Sequence, residues 1–511
     1  MLEAQPLPTA SANLRESASV GLAWNYVGMA VRSLLGLLMG IVLARLLGPK
    51  PFGVVAIAYL VIGLANLIAD FGFGNALVQR QTLRDEDIRF SFWFQLLVGC
   101  TLGVICVALS RPVAGFFGEP SAVPVLRAIA LTLPIQAIGQ TANALLKRQL
   151  AFRAIQVAQI SANVGGLLVL GIPLAWLGYG VWALVFAEIA RVILNSALLF
   201  AFAPHSIMPV LRYKNGSMFA FGLKVIGSNL SNYSISNLDN AVVGHFFGAI
   251  PLGLYSRAFN LVATPMNAVV NTFQGVLFST CSRVQAQRDV LRKSYISSIA
   301  IIGLVLIPPF AAIAVVPFTV IVGVYGQRWV DAAPLLRPLA LSMPLHGLLA
   351  IGGSILCAID RPGRELRVQF TTALLAAFLF VLAGKISVVA LAWAVFVVYV
   401  FRFFGIASEI TRALGIGLSD FWAALRGSVA LGCCEMVLVR VADIGISGWA
   451  GWDGLRLAVD FGAGTTLFVA AIAIAPKWVL GEEAFQVVQS MSSRLPNRLR
   501  QIIPQLSATA S

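Results

Sequence analysis

The residues able to do chemistry in this sequence are the few charges and amides that interrupt its apolar runs. Arg32 lies in the middle of the run over residues 18–47, and Asn25 stands two turns before it. A guanidinium there is too far from either end of the run to reach water along its own stem, and a charge inside lipid costs roughly 2.5–3.5 kcal/mol on insertion scales. It must therefore meet a partner or a cavity. A fixed guanidinium offers two parallel donors to a compact oxyanion such as a diphosphate; a structural hydrogen bond to a neighbouring helix is the plainer use, and the sequence leaves both open.

The run over 218–247 is the least lipid-like. It carries Ser228, Asn229, Ser231, Asn232, Tyr233, Ser234, Ser236, Asn237, Asp239 and Asn240, a set that cannot face acyl chains. Lys224, Ser228, Ser231 and Asn232 recur at helical spacing and fall on one face, which suits a hydrophilic groove for hydroxyls and phosphate. Asp239 is about 22 Å beyond Lys224 at helical rise, too far to pair with it. Arg257 on the next run is the expected partner, as a structural ion pair in preference to a coupling-ion site.

Glu188 and Arg191, three residues apart on one helix, can satisfy each other. Asp70 and Arg80 cannot meet on a straight helix, and Gly72 and Gly74 between them predict either a loosened helix end or close packing. Gln136, Gln140 and Asn143, then Gln156, Gln159 and Asn163, extend a polar lining or bond between helices.

Other chemistry is missing from the pattern. The Gly48 to Gly53 turn lacks the Lys-Ser/Thr of a phosphate-binding loop, His205, His245 and His346 are far apart, and no hydrolase or metalloprotease motif occurs. The six cysteines lie in or beside apolar runs without metal-ligand spacing and are expected in the core. The expectation is a non-enzyme with no catalytic residue, cofactor or metal.

These side chains need elements to hold them, and composition says which. Of 511 residues 59% are hydrophobic, 36 are Lys or Arg and 21 are Asp or Glu, with a mean hydropathy of +0.87. So few charges cannot cover a water-soluble protein of this size. The net charge of +15 sits in short gaps between apolar runs, not on the water-facing stripe of a nucleic-acid binder. At about 20 residues per crossing, fourteen spans can be placed, near 18–47, 52–79, 90–116, 121–146, 155–177, 180–203, 218–247, 252–281, 295–324, 332–358, 367–384, 386–408, 427–446 and 456–476.

With both termini cytoplasmic, the inner loops hold seventeen Lys and Arg and the outer loops five, the asymmetry that retention of positive charge requires. Trp176, Trp182, Trp329, Trp449 and Trp452 fall at outer ends, as an interfacial belt. Residues 1–17 are too polar for a signal peptide, so the first span is expected to be retained, and 477–511 form a cytoplasmic tail.

Offsetting the sequence by 200 residues superposes Gly48-Pro49-Lys50-Pro51-Phe52-Gly53 on Gly248-Ala249-Ile250-Pro251-Leu252-Gly253. The same shift lays span one on span seven. Six-helix lobes at 18–203 and 218–408, related by pseudo-two-fold symmetry and followed by two further helices at 427–476, make a transporter plan.

At these residues the sequence resembles the oligosaccharide flippases of the multidrug/oligosaccharidyl-lipid/polysaccharide exporter superfamily. The likeness rests on Ala44-Arg45-Leu46-Leu47-Gly48-Pro49 through Phe52-Gly53, Ala69-Asp70-Phe71-Gly72-Phe73-Gly74 and Leu77-Val78-Gln79-Arg80. A second block comprises Asn237-Leu238-Asp239-Asn240, Gly244, Gly248, Leu252-Gly253-Leu254-Tyr255-Ser256-Arg257-Ala258 and Pro265. His245 departs from it, standing where a long basic residue is expected.

The resemblance implies a multi-pass protein of the bacterial inner membrane that moves an undecaprenyl-diphosphate-linked sugar unit to the outer leaflet. Its partners would be that lipid-linked oligosaccharide, membrane lipids, and the polymerase and glycosyltransferases of an exopolysaccharide or lipopolysaccharide pathway. A drug/cation antiporter of the same superfamily would need an acidic cavity, which Arg32 and Lys224 disfavour. A membrane polysaccharide polymerase would need a long periplasmic loop, and the outer loops here are short.

Overall fold

Lipid offers no hydrogen bonds to a peptide backbone, so a chain this apolar must satisfy its amides internally, and helices do so within one segment. A computed structural model of the protein describes residues 12–69, 77–78, 83–209, 233, 236–283, 287–358, 362–446, 453–481, 484–486 and 489, and these contain helices and turns but no strand. The protein is an all-α polytopic membrane protein. Eleven of the described helices are long and apolar enough to cross a bilayer, and every one falls on an expected span.

The chain forms two compact units, Met1–Ser256 and Arg257–Ser511. In the first, α1 (Ala12–Leu47), α2 (Pro49–Ala69), α3 (Asp85–Phe116), α4 (Ala122–Ala130), α5 (Thr132–Arg148) and α6 (Phe152–Asn163) lead through a π-helix, Val164–Gly171, to α7 (Ile172–Trp176) and α8 (Val181–Phe202). Residues 236–247 form α9, and α10 (Ala249–Arg283) passes into the second unit. There α11 (Arg288–Val315), α12 (Pro317–Tyr325), α13 (Ala333–Ala358), α14 (Pro362–Gly384) and α15 (Val388–Leu414) precede α16 (Leu418–Ile446), α17 (Asp453–Ile474) and α18 (Pro476–Leu480).

Two helix breaks lie just before a proline. The α4/α5 break at Leu131 precedes Pro134, which has no amide hydrogen for the Ala130 carbonyl one turn back. Val316 leaves the helical region immediately before Pro317, at φ −122°. Some helices begin before the expected spans because charged first turns extend them. α3 starts at Asp85 instead of near residue 90, with the Arg84 amide donating to Asp87 Oδ2 at 3.1 Å and Asp85 paired with Arg89. Arg148 at the end of α5 donates from Nη1 to the Leu77 carbonyl at 3.1 Å.

Outward helix faces carry Leu97, Val104, Phe370, Phe378 and Phe461, all exposed, the surface that acyl chains solvate. Two sequence expectations fail here. Trp329 is not an interfacial residue but is fully buried, its ring 5.4 Å from that of Tyr325. Cys100, Cys433 and Cys434 lie on exposed faces instead of in the core, where Cys106 does sit; a thiol is apolar enough to face lipid as readily as protein.

The 200-residue repeat has a structural counterpart inside the first unit. Gly48 and Gly248 both adopt positive φ, +76° and +82°, which lets α1 and α9 end and α2 and α10 begin at once. Their first turns then pack reciprocally. A Cβ on Gly53 would fall 1.7 Å from the Ala249 carbonyl oxygen, and one on Gly253 2.2 Å from the Pro49 carbonyl oxygen. Residues 49 and 53 of one copy meet 253 and 249 of the other, the exchange that a two-fold relation generates.

Candidate functional site

Three helices of the first unit bring the expected residues together. The α1 residues Asn25 and Arg32 are two turns apart and point at α6, where Gln156 and Gln159 recur at nearly one turn. Gln156 Nε2 donates to Asn25 Oδ1 at 2.9 Å, and Arg32 Nη1 donates to Gln159 Oε1. Gly28 between them has no room for a Cβ, which would fall 2.4 Å from the Gln156 side chain. The α1/α6 seam is therefore tight as well as polar, and Arg153 in the first turn of α6 stacks over the Trp24 ring at 5.2 Å.

α8 supplies the remaining charges. Arg191 donates from Nε to Glu188 Oε2 at 2.8 Å and from Nη2 to Glu188 Oε1 at 2.5 Å, a bidentate pair. Arg191 also lies within electrostatic reach of Arg32 and of Tyr59 on α2. The π-helix makes that position possible, because Gly166 lies so close to α8 that a Cβ would meet the Ala187 carbonyl at 2.6 Å and Arg191 Cβ at 2.7 Å. π-segments widen a helix by a residue per turn and recur at functional sites.

Two guanidiniums thus stand near one carboxylate, and Arg191 alone is bound to it. Among the described residues Arg32 is paired with no carboxylate, and its partner is a neutral amide. Arg32 lies five positions into the apolar stretch Val27–Leu47, half-buried. A cation retained there, aligned by an acceptor that leaves its charge unspent, is suited to a compact anion entering from the N-terminal side.

Other expected residues lie elsewhere. Lys224, Ser228 and Asn232, with Asp70, fall outside the described residues. Tyr233 is described, and its hydroxyl donates to the Leu60 carbonyl of α2 at 3.0 Å, in space left by Gly63. Asp239 is buried and accepts from the Tyr255 hydroxyl at 2.7 Å and from the Asn240 amide at 2.7 Å. Arg257 belongs to the second unit, where its carbonyl accepts from the Tyr325 hydroxyl at 3.3 Å. His245 stacks on Phe116 at 4.1 Å between ring centroids, and its Nδ1 donates to the Phe116 carbonyl at 2.7 Å.

Sequence reading treated Arg191 as a closed pair with Glu188 and missed its closeness to Arg32. No spacing rule relates residues 32 and 191. The available signal was the Gly165-Gly166 pair facing an arginine-bearing helix.

A helical fold with breaks at these places and charges buried between its helices is one built for passage through a membrane. It is the fold of the lipid II flippase MurJ in its inward closed conformation, with a TM-score of 0.69 over 88% of this chain and 98% of MurJ, at 12% identity. The chain belongs to the polysaccharide biosynthesis protein family, which matches residues 42–334.

Relatives include the succinoglycan biosynthesis transport protein ExoT of Rhizobium meliloti, 29% identical over 59% of this chain. The lipopolysaccharide biosynthesis protein WzxC of Escherichia coli is 25% identical over 72% of this chain and 75% of its own length. The match spans about three fifths of ExoT, 61% of its length. The resemblance to oligosaccharide flippases carried by the Gly48 and Gly248 blocks is borne out.

Proposed function

We propose that the protein is a flippase. It moves undecaprenyl-diphosphate-linked oligosaccharide units from the inner to the outer leaflet of the bacterial cytoplasmic membrane by alternating access, for exopolysaccharide or lipopolysaccharide synthesis. The observation that carries this reading is the uncompensated Arg32, aligned by Gln159 and backed by Arg191. A lipid diphosphate is the anion that must leave water to cross, and the cluster offers charge-assisted hydrogen bonds to it. The polyprenyl tail needs no site, because the outward faces already contact acyl chains. Lys224, Ser228 and Asn232, by residue type and spacing, are the groups assigned to the sugar and phosphate in this reading, together with Asn25.

Both termini lie on the cytoplasmic side in this reading, so the diphosphate enters at the start of the apolar stretch Val27–Leu47, five positions from Arg32. Asp239, Asp70 and Glu188 hold structure or gate it, and Arg257 continues the block that begins α10. Partners are the membrane lipids, the lipid-linked substrate, and the glycosyltransferases and polymerase that make and consume it. The drug/cation antiporter reading would require the opposite charge balance beside α1. ExoT and WzxC are named for transport and biosynthesis of polysaccharides, and the chain acts as a transporter and not as a polymerase.

Loss of the gene should abolish the cognate surface polysaccharide while its lipid-linked unit accumulates undelivered, with both effects reversed by the wild-type gene. The measurement is extraction of lipid-linked sugars together with quantitation of surface polymer. Full surface polymer in the null strain would overturn the reading.

A further inference from the structure

The second unit carries a buried ionisable seam that the proposed function leaves unused. α16 and α17 run antiparallel. Arg456 on α17 reaches Asp443 on α16, Nη2 to Oδ1 at 2.9 Å, and Gly464 on α17 faces Glu435 on α16, a Cβ there lying 4.0 Å from Glu435 Oε2. Asp460 lies between those two levels, one turn from Arg456 and one turn from Gly464. The three carboxyls Asp443, Asp460 and Glu435 therefore descend the seam at steps of about 6 Å, one helical turn each.

They are not equivalent. Asp443 is saturated: besides Arg456 it accepts from Thr319 Oγ1 of α12 at 2.6 Å and from Arg440 Nη1 at 3.2 Å. Asp460 is 4% exposed, and neither of its carboxyl oxygens has a hydrogen-bond partner among the described residues, although Asp443 and Arg456 are within electrostatic reach. Arg456 Nε is likewise buried without an acceptor. Glu435 is 2% exposed and is held by no cation among the described residues.

Among the described residues no neighbouring element supplies the missing counter-charge. α11 meets this seam with Ile307, Pro308 and Ala311 around Gly432, while its ionisable groups, Arg288, Asp289, Arg292, Lys293 and Tyr295, lie in its first turns. α12 contributes Thr319, and its Tyr325 bonds to the Arg257 carbonyl. In α18, Lys477 sits over the Phe485 ring, and on α17 itself Asp453 opens the helix.

A buried carboxylate with neither cation nor donor is far costlier than the neutral acid. The ligand that makes Asp460 and Glu435 affordable in this seam is a proton. A metal cation is a poorer fit, because it would need several oxygens arranged around it and would stand beside Arg456.

We propose that the α16/α17 seam is a proton-binding site, with exchangeable protons on Asp460 and Glu435 and with Arg456 passing from Asp443 to Asp460 when Asp460 gives up its proton. The proton leaves along the carboxyl ladder, Asp460 gains the negative charge, and Arg456 swings one turn to neutralise it. Thr319 and Arg440 remain to hold Asp443, so the change is felt on α12. Proton occupancy is a property of the seam alone. Use of that proton to drive or gate transport rests on the flippase reading.

The test is infrared difference spectroscopy of the full-length protein in lipid nanodiscs, titrated from acid to alkaline buffer. Wild type should lose two protonated-carboxyl carbonyl bands. Asp460→Asn, near-isosteric with the neutral acid, should lack one and Glu435→Gln the other. Asp443→Asn should free Arg456 and shift the Asp460 band to disappear at lower pH, an effect that mere packing would not produce.

Bands unchanged in Asp460→Asn and Glu435→Gln proteins that remain monodisperse would overturn the proposal. Loss of the bands on adding sodium at fixed pH would do so as well, because it identifies a sodium site. Substrate flipping measured on the same samples separates the two claims: bands without flipping remove the flippase reading and leave the proton site in place.

Discussion

Replacing Arg32 by alanine is expected to slow delivery of the lipid-linked sugar about tenfold to hundredfold, the loss that follows from removing charge-assisted hydrogen bonds worth roughly 1.5–3 kcal/mol to a bound anion. The folded protein should remain. The side chain's partner in the resting structure is the neutral Gln159, and removing Arg32 also relieves its repulsion with Arg191, so part of the cost of the orphaned amide is offset. Arg32→Lys keeps the charge but not the planar fork, and should fall between wild type and alanine. Gln159→Ala keeps the arginine and frees its direction, so it should weaken substrate affinity more than it lowers melting temperature. Export rate at matched protein level, with thermal stability in detergent, checks all three. Unchanged export by Arg32→Ala at normal abundance would remove the residue from the substrate path.

Gly53→Val and Gly253→Val should each prevent accumulation of folded protein. The obstacle is a backbone carbonyl in both cases, Ala249 for one and Pro49 for the other, at 1.7 and 2.2 Å from the added Cβ. A side chain could rotate away, whereas a helical carbonyl cannot without moving its helix. The penalty should exceed the roughly 1–3 kcal/mol of ordinary overpacking. Gly36→Ala is the matched control, because nothing lies within 4 Å of its added Cβ; in a helix interior it should be neutral or stabilise by about 0.5–1 kcal/mol. Monodisperse yield from size-exclusion chromatography reads the contrast. Equal yields for the valine variants and Gly36→Ala would show that the repeat glycines do not hold this crossing.

Much of this fold was legible because lipid allows so few alternatives. Apolar length set eleven described spans, and the glycine turns at residues 48 and 248 marked where one helix ends and the next begins. What eluded the sequence was set by contact between distant residues. Arg191 is packed against Gly166 of a π-helix that no hydrophobic pattern announces, since its residues 164–171 read as an ordinary apolar run. Trp329 looked interfacial beside Arg328 because an aromatic next to a charge at a span end has the same local pattern whether it meets headgroups or a packed core. Asn25, Gln156 and Gln159 were visible as polar residues, and their pairing was not, because helical periodicity gives a face but not the helix that will cover it. Asp443, Arg456 and Asp460 were not legible as a cluster because no spacing rule relates residues on two separate spans; in the structure Arg456 belongs to α17 and reaches Asp443.

The most direct test of the central claim is reconstitution of the purified full-length protein in liposomes with an undecaprenyl-diphosphate-linked oligosaccharide, following its transfer between leaflets with a membrane-impermeant sugar-modifying enzyme. Transfer should depend on the wild-type protein, fall about tenfold or more with Arg32→Ala, and be absent for a polyprenyl-linked sugar lacking the diphosphate. Equal transfer of the diphosphate and diphosphate-free lipids, or transfer no faster than in protein-free liposomes, would contradict the account.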